Sequence, residues 1–418
     1  MKKSCARQAD QLANCLDSIP AWVKTCLLAF SGGLDSCVLL HLLANKSPPL
    51  KIKLWHVNHG LQSESGSMEQ FCRQQADLYG FDLKLSRLNL QTTASNIEAL
   101  ARTARYDLFA KGLASNECLL TAHHADDQVE TFLLNVLRGS GSAGLRGIAR
   151  QKPIGGSILL RPMLAVKRDT LLDYAKQHDI EWFEDPSNSS DKFNRNYLRH
   201  NIVPLISQRW PNYHSSIGTV CEIQAETRQM LDELAALDYA LVVHETDHAD
   251  RSSLKIAALK SLSGMRQKNV IRYWLRLHHC SSLPKTRLDT LIKQLSAKQD
   301  AAPVVTNTDY DIRIYNGRLF IVDYQQPKNL KAVYDLTGSC KLEIAALGLV
   351  LQRQSVLKFF RIEDNQQTVQ IRFRLDANSK NQHSHRLKRL FQNQKIAPWL
   401  RNSTPQVYID GELVGLWV

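Results

Sequence analysis

Residues 31–36 read SGGLDS and lie between two apolar runs, 23–30 and 37–43. Two adjacent glycines form either an ordinary turn or a loop whose backbone closely approaches a bound anion. A strand before them and a helix after them favour the anion, because the first turn of a helix presents free N–H groups and the positive end of its dipole. Asp35 is a poor neighbour for phosphate unless Mg²⁺ or an amine lies between them. We therefore predict a phosphate-binding loop with a cation beside Asp35.

A second group of ionisable residues lies in the stretch 121–131, which reads TAHHADDQVET. If this stretch is helical, three of its side chains share one face at i, i+4 and i+7, namely His123, Asp127 and Glu130. The opposite, apolar face then comprises Val129, Phe132, Leu133 and Val136. Two carboxylates on one face can bind Mg²⁺ or recognise a cationic amine. Acidic residues are also favoured at any helix N-terminus, so this pattern acquires a function only from the motifs around it.

Alternating strands and helices are expected to position both groups, over about residues 20–185. The predicted strands cover residues 23–30, 52–57, 81–88 and 118–122, and the predicted helices cover 36–45, 64–79, 96–114 and 125–138. This alternation favours an α/β fold, a Rossmann-like parallel sheet with helices on both faces. The second strand ends in HVNHG, residues 56–60, at the edge where open α/β sheets bind their ligands.

The rest of the chain predicts two smaller domains. From about residue 215 to 297, apolar residues at three- and four-residue spacing, such as Ile223, Met230 and Leu234, indicate a small helical domain. A polar linker near residue 326 is followed by short alternating runs and one basic helical stretch, which indicate a small α/β domain. The predicted domains are therefore 1–214, 215–326 and 327–418.

Composition restricts the class of protein. The 418 residues carry a formal charge of +13, which favours a polyanionic partner, although a merely basic surface would give the same value. Nine cysteines without a CxxC pair are typical of a reducing compartment. The N-terminal residues lack an apolar signal-peptide core, and no apolar run reaches the roughly 18 to 20 residues of a membrane span. A cytoplasmic protein is expected.

A series of motifs follows the acidic stretch. It comprises residues 139–147 (GSGSAGLRG), 161–164 (RPML), 184–188 (EDPSN) and 195–200 (RNYLRH), with 96–106 (NIEALARTARY) upstream and 386–391 (RLKRLF) and 398–401 (PWLR) near the end. SGGLDS resembles the loop of the PP-loop, or N-type, ATP pyrophosphatases. The whole series, in this order, resembles the tRNA(Ile)-lysidine synthases. Gln62 stands where that family's HVNHGLR stretch has arginine.

The resemblance implies a ligase that modifies tRNA. ATP adenylates the C2 oxygen of the wobble cytidine in a tRNA(Ile) with a CAU anticodon, the ε-amine of L-lysine attacks C2, and lysidine, AMP and diphosphate result. ATP and Mg²⁺ are the implied cofactors. The residues that would hold ATP are Ser31, Gly32, Gly33, Leu34, Asp35 and Ser36, with Asp35 and Asp127 as ligands of Mg²⁺.

Other roles follow from the same resemblance. Arg102 or Arg105 would reach the phosphates and stabilise the leaving diphosphate, and the choice between them is open. Asp127 and Glu130 would receive the ammonium group of lysine, whose proton would pass to Asp35, Asp127 or His123. Arg195 and Arg199 would contact the RNA, although surface charge explains either one alone equally well.

The C-terminal stretch 380–402 holds six lysines and arginines and no acidic residue. With its aromatic residues it offers positive charge and stacking surface, so we expect Lys388 and Arg389 to contact tRNA away from the anticodon. A homodimer is compatible with the sequence, which does not set the oligomeric state. The main alternative is a PP-loop tRNA thiolase acting on an anticodon base, for which Cys37 and Cys118 would be the candidate cysteines. A small-molecule ligase and a non-catalytic tRNA-binding adaptor fit the basic tail and the intact loop less well.

Overall fold

A computed structural model of the chain describes residues 12–46, 50–58, 65–88, 97–184, 191, 193–244, 252–295, 303–323, 330–337, 341–363, 367–373 and 384–417. The chain divides into two compact units, Met1–Met230 and Leu231–Val418. The three predicted domains, with boundaries at 214/215 and 326/327, stay a prediction. None of the helices within the described ranges combines the length and the apolar character that a membrane crossing requires.

The first unit contains six strands and most of the helices that surround them. The strands are β1 Thr25–Ala29, β2 Lys51–Asn58, β3 Asp82–Arg87, β4 Glu117–Leu120, β5 Gln151–Ile154 and β6 Ser157–Leu160. The helices are α1 Leu34–Ala44, α2 Ser65–Tyr79, α3 Ile97–Gly112, α4 Ala125–Leu137, α5 Ser142–Leu145, α6 Arg168–Gln177, α7 Asn194–Tyr197 and α8 Val203–Arg209. The next helix, α9 Tyr213–Val242, begins in the first unit and ends in the second. A π-helical stretch, Leu198–Ile202, lies between α7 and α8.

The six strands form one sheet in the order β3-β2-β1-β4-β6-β5. All neighbours are parallel except β5, which is antiparallel to β6. Alternate residues of β1 enter different cores, because Leu28 packs with α1 on one face and Leu27 packs with Trp55 and Phe109 on the other. Strands buried on both faces explain the apolar runs of the sequence. The central strand β1 therefore aims the SGGLDS loop at the carboxyl edge of the sheet.

The second unit is built from antiparallel sheets and short helices. Its strands are β7 Val243–His244, β8 Ser253–Lys255, β9 Val304–Thr306, β10 Tyr310–Tyr315, β11 Arg318–Asp323, β12 Val333–Asp335, β13 Lys341–Ile344, β14 Leu349–Gln352, β15 Val369–Arg372, β16 Gln406–Ile409 and β17 Glu412–Leu416. Its helices are α10 Ile256–Ser261, α11 Gly264–Leu277, α12 Lys285–Gln294, α13 Arg353–Phe359 and α14 Ser384–Asn393.

Two larger sheets organise this unit. One has the order β7-β8-β11-β10-β9 and shares a core with α10, α11 and α12 around Trp274 and Tyr310. The other has the order β12-β15-β16-β17, and β13 pairs with β14 as a separate hairpin. The predicted class, a parallel α/β sheet followed by smaller domains, is confirmed. The middle segment contains, besides its predicted helices, a five-stranded sheet that the helical periodicity did not indicate.

Candidate active site

The two glycines of the SGGLDS loop have different backbone geometries. Gly32 has a φ of +81°, and a Cβ there would lie 3.1 Å from Cys72 Sγ and 3.3 Å from a ring carbon of Phe71. Gly33, the N-cap of α1, has a φ of −76°, and a Cβ there would meet nothing closer than Ser31 Oγ at 3.7 Å. Gly32 therefore shapes the loop, whereas the missing side chain of Gly33 leaves the helix start accessible to a ligand.

Several buried groups fix the loop backbone from behind. Nδ1 of His56, a residue that is 3% exposed, lies 2.9 Å from the carbonyl oxygen of Phe30. Burial lowers the pKa of His56, so a neutral ring donates its Nδ1–H to that carbonyl. The amide of Phe183 donates to the carbonyl of Gly32 at 2.9 Å, and Cys37 Sγ donates to the same oxygen at 3.3 Å. The loop is thus held in one conformation before any ligand binds.

The hydroxyl groups of the loop lie beside the helix start. Ser31 Oγ is 3.1 Å from Ser36 Oγ, which donates to the carbonyl of Gly33 at 2.9 Å. Leu34 is buried in the core, so its side chain anchors α1 and only its backbone can meet a ligand. Free first-turn amides, two hydroxyls and a positive dipole end are groups that suit an anion, and binding of ATP at this loop stays a prediction.

A cavity of about 240 Å³ opens beside this loop. Besides apolar residues, its lining contains Ser31, Asp35, Ser36, Arg102, Arg105, Tyr106, Thr121, His123, Asp127 and Arg195. Five of the six predicted catalytic residues therefore share one cavity. The sixth, Glu130, is connected to it through Arg195, as described below.

His124, the N-cap of α4, lies among three carboxylates. Its Nε2 is 3.5 Å from Asp35 Oδ2 and 3.6 Å from Asp127 Oδ2, and its Nδ1 is 3.6 Å from Asp126 Oδ2. Burial alone would lower its pKa, but Asp127, Asp126 and Asp35 outweigh burial and raise the pKa of His124 to about 10. The ring is therefore a buried cation at neutral pH, and it links the SGGLDS loop to α4.

His123 lies two residues before the start of α4, so the predicted helical face is wrong in including it. The opposite face is only partly apolar core, since Val129 is buried but Val136 is 48% exposed. His123 Nδ1 is 2.9 Å from Thr121 Oγ1, and the side chain lines the cavity. Burial, assisted by neighbouring arginines, lowers the pKa of His123 to about 3, which makes it a weak base.

Asp127 and Glu130 are paired with two arginines. Arg195 donates from Nη2 to Asp127 Oδ1 at 2.6 Å and from Nε to Glu130 Oε2 at 2.5 Å. Arg199, on the π-helical stretch, donates from Nε to Glu130 Oε1 at 2.6 Å. Burial alone would raise the pKa of Asp127, but His124 and Arg195 outweigh it and hold that pKa below its ordinary value. The predicted contacts of both arginines with RNA stay a prediction, and in this structure both side chains bind carboxylates.

Arg102 and Arg105 both line the cavity from α3. Their guanidinium carbons lie 5.1 and 5.8 Å from the ring centroid of Tyr106, within the range of a cation–π contact. No described carboxylate lies within ion-pair distance of either residue. Because both arginines reach the cavity, the geometry keeps both as candidates for binding phosphate.

The predicted Mg²⁺ ligands differ in the oxygens that they offer. Asp35 Oδ1 is buried and accepts no hydrogen bond from a described group. Both oxygens of Asp127 are used, Oδ1 by Arg195 and Oδ2 by the amide of His124 at 3.0 Å. A cation ligand therefore fits Asp35, whereas Asp127 would first have to exchange a partner.

Lys388 and Arg389 lie in the second compact unit, on α14. Leu387 and Phe391 are buried on the inner face of this helix, while Lys388 and Arg389 are exposed on its outer face. Trp399 is partly buried and contacts Phe320 edge-on, with ring centroids 5.5 Å apart, so part of its ring is covered by the protein. The predicted stacking surface is therefore reduced, whereas the basic face of α14 is available to a polyanion.

The cysteines near the site are poorly suited to nucleophilic chemistry. Cys37 and Cys118 are 1% and 0% exposed. Burial raises the pKa of Cys37, and a hydrogen-bonded Cys26 together with burial raises the pKa of Cys118. A buried, protonated thiol is neither a good nucleophile nor a ready sulfur carrier. These two residues therefore do not support the thiolase alternative.

Some predicted features lie outside the described residues. These are His59, Gly60 and Gln62 of the second motif, Asn96, and residues 185–188 of the EDPSN motif.

Sequence reasoning quoted His56, His124 and Arg161 within its motifs but assigned none of them a role, although all three shape the site. For His124 a signal was present, because an aspartate three residues after a helix N-cap is typical of a capping box, which α4 has. For Arg161 the signal was a single cation within the apolar run 158–164. For His56, nothing in the sequence distinguishes a residue that supports the SGGLDS loop from one that binds a ligand directly.

Comparison with known proteins decides the family. The chain is 36% identical, over 93% of its length and 89% of the relative's, to a tRNA(Ile)-lysidine synthase of Serratia proteamaculans. It belongs to the tRNA(Ile)-lysidine synthase family. A lysidine synthase of Coxiella burnetii is 32% identical over 99% of this chain and 92% of that protein. The family resemblance and the assignment as an enzyme are confirmed.

Three family models match the chain. They are described as a PP-loop domain over residues 1–206, a TilS substrate binding domain over 254–320 and a TilS substrate C-terminal domain over 365–418. Among solved structures, a U34-tRNA thiolase from Methanococcus maripaludis matches 52% of this chain and 78% of its own, with a TM-score of 0.46 and 18% identity. At this level of similarity the match says nothing about the chemistry of the present protein.

Proposed function

We propose that this protein joins L-lysine to C2 of the wobble cytidine in a tRNA(Ile) with a CAU anticodon. The cytidine O2 attacks the α-phosphate of ATP, and diphosphate leaves. The ε-amine of lysine then attacks C2, the C2–O2 bond breaks, and AMP departs with that oxygen. The products are lysidine, AMP and diphosphate. Membership of the lysidine synthase family and the PP-loop domain support this reaction.

One observation carries the proposal: the cavity joins a phosphate-binding loop to a group of carboxylates. Ser31 and Ser36 line it on one side, and Asp127 and Arg195 line it on another. Transfer of AMP to a base and attack by an amine require both an anion site and a site for a cationic amine within reach of one atom. The loop serves the phosphates of ATP, and Arg102 or Arg105 faces the charge that develops on the diphosphate.

Asp35 is the residue that would hold Mg²⁺, because its buried Oδ1 accepts no hydrogen bond from a described group. The ion would neutralise phosphate charge that would otherwise repel the carboxylate. Asp35 is also our choice for the lysine proton, because its Oδ1 accepts no hydrogen bond from a described group, whereas burial lowers the pKa of His123 to about 3 and both oxygens of Asp127 already accept hydrogen bonds. The two roles do not coincide, because diphosphate has left before the amine attacks.

Lysine would bind at Asp127 and Glu130 by exchanging partners with the arginines. Both carboxylates already accept charge-assisted hydrogen bonds from Arg195, and Glu130 also accepts one from Arg199. An ammonium group can replace such a donor without leaving a buried carboxylate unpaired. A released guanidinium can then turn to the RNA or to the carboxylate of lysine. Contacts of Lys388 and Arg389 with tRNA, a homodimer and a cytoplasmic location stay predictions.

The reaction is tested with protein, ATP, Mg²⁺, labelled lysine and an unmodified tRNA(Ile) transcript with a CAU anticodon. We expect lysine to enter the tRNA together with one AMP and one diphosphate per lysine. The matched control is the same transcript with uridine at the wobble position, which should accept no lysine. Equal labelling of both transcripts, or none of either, would contradict the proposal.

A pair of variants tests the site. Asp35→Ala should abolish lysine transfer and leave tRNA binding unchanged, because the carboxylate lies at the loop. Asp107→Ala removes an exposed carboxylate from α3 and should retain activity. Full activity of Asp35→Ala would remove this residue from the mechanism.

A further inference from the structure

Arg161 is a buried cation that the proposed reaction does not yet use. It follows β6 at the carboxyl edge of the sheet and is 4% exposed. Its Nη1 donates to the carbonyl of Ala149 at 2.6 Å, but its Nε is buried and has no hydrogen-bond partner among the described residues. Native proteins seldom bury a hydrogen-bond donor without a partner, and the free-energy cost is larger when the donor is charged.

Tyr106 provides a second unused group beside Arg161. Its hydroxyl oxygen is also buried. It lies close enough to Arg161 to raise the pKa of that guanidinium through its charge and a side-chain hydrogen bond, although burial is the larger effect and holds the pKa of Arg161 below its ordinary value. Tyr106 itself lines the cavity beside the SGGLDS loop. Arg161 is not among the residues that line the cavity, so Tyr106 is the group through which its buried charge can act on a ligand there.

The same wall has an excess of positive charge. Arg102, Arg105 and Lys152 surround the ring of Tyr106, with the Lys152 nitrogen 5.2 Å from its centroid. No described carboxylate forms an ion pair with any of these residues or with Arg161. The acids of the site are instead paired with other cations, as Asp127 is with Arg195. Like charges held together without a counter-ion create a site for an anion.

We infer that Arg161 and Tyr106, with Arg105, form a subsite that binds a phosphate group of a substrate. The Tyr106 hydroxyl and the Arg105 guanidinium line the cavity and can donate to phosphate oxygens, while the buried charge of Arg161 attracts the anion and holds the tyrosine in place. The inference rests on the proposed function for its choice of substrates. Two sources supply the phosphate, namely the diphosphate part of ATP and the phosphodiester beside the wobble cytidine.

Calorimetric titration of the full chain tests the subsite with two probes, inorganic diphosphate and cytidine 3′,5′-bisphosphate. We expect Arg161→Gln to weaken binding of one probe by about tenfold or more, because a buried positive charge beside the subsite is lost. Arg150→Gln is the matched control, since Arg150 is an exposed arginine in the same segment, and its affinity should change by less than about twofold. Loss of diphosphate binding identifies the ATP source, and loss of bisphosphate binding identifies the RNA source.

A second variant covers the case in which Arg161→Gln does not fold. Tyr106→Phe keeps every charge and the ring, and it should weaken the same probe by about threefold. Equal affinities of Arg161→Gln and Arg150→Gln for both probes would overturn the subsite. Unchanged affinities of Tyr106→Phe would do so if Arg161→Gln is unfolded. Neither probe requires lysine transfer, so failure of the subsite and failure of the proposed reaction are separate results.

Discussion

Gly32→Ala and Gly33→Ala form a matched pair that tests how the loop is built. The two residues are adjacent and chemically identical, but only Gly32 has a left-handed backbone, with φ of +81°. Only at Gly32 would a new Cβ meet an atom within 3.1 Å, the sulfur of Cys72. Any effect of alanine on general loop flexibility applies equally to both positions, so the difference between the variants reports on the backbone conformation.

The magnitudes follow from these geometries. Alanine in the left-handed region is less stable than glycine by about 1 to 2 kcal/mol, and relief of the close contact adds about 1 kcal/mol. Alanine also restricts the unfolded chain, which returns about 0.5 to 1 kcal/mol. We therefore expect Gly32→Ala to lower the free energy of unfolding by about 2 kcal/mol. For Gly33→Ala the same gain is offset by the weaker N-cap, so the net change is about zero.

Urea unfolding measures this difference in the transition that ATP shifts to higher urea concentration, because that transition contains the nucleotide site. The urea concentration at the midpoint of unfolding should fall for Gly32→Ala and remain that of the native protein for Gly33→Ala. The dependence of the free energy of unfolding on urea concentration should be the same for both variants. Equal destabilisation by the two variants would refute the reasoning. It would show that neither the positive φ of residue 32 nor the contact with Cys72 explains why glycine is required there.

Three further predictions concern charge. The pKa of His124 is raised to about 10 in the folded protein. The stabilisation by its positive charge should therefore be fully present below its unfolded pKa of 6.5 and disappear as pH rises through about 10. Over that pH range the free energies of unfolding of His124→Asn and of the native protein should converge. Glu130→Gln should lower the unfolding free energy by about 2 kcal/mol, allowing for solvent at its arginine partners, which urea titration measures. Lys388→Gln with Arg389→Gln should reduce the salt slope of tRNA binding by about 1.4 to 1.8 in filter binding, whereas Lys358→Gln should not change it. An unchanged slope in the double variant would contradict the assignment.

Much of the nucleotide-binding half could be predicted from the sequence, because its signals are local. The helix predicted over 36–45 is observed as Leu34–Ala44, and the strand predicted over 23–30 is Thr25–Ala29. They follow from two apolar runs, one before and one after a pair of glycines. The helix predicted over 125–138 also begins at Ala125. Extending its periodicity back to His123 was the error, because His124 is the N-cap and its backbone is extended.

The remaining features depend on contacts between distant residues, which periodicity does not report. The strand Ser253–Lys255 is only three residues long and is defined by pairing with β11, more than sixty positions later. Similarly, the pairing of Glu130 with Arg195 and Arg199 joins residues 65 and 69 positions apart. The motif led us to predict contacts of both arginines with RNA, which stays a prediction, whereas their carboxylate partners could only be found by folding the chain.

The structure separates the charges of the cavity into two chemically different walls. On the side of α4, Asp127 and Glu130 are already paired with Arg195, so an ammonium must compete for them. On the side of α3, Arg102 and Arg105 have no described acidic partner, so a phosphate meets no competitor. Phosphate binding should therefore precede productive binding of the amine, and a guanidinium attracted by bound phosphate would weaken its hold on the carboxylates. Such an order would keep the lysine amine from binding productively before the cytidine has been adenylated. The proposed reaction, adenylation followed by displacement of AMP, requires this order.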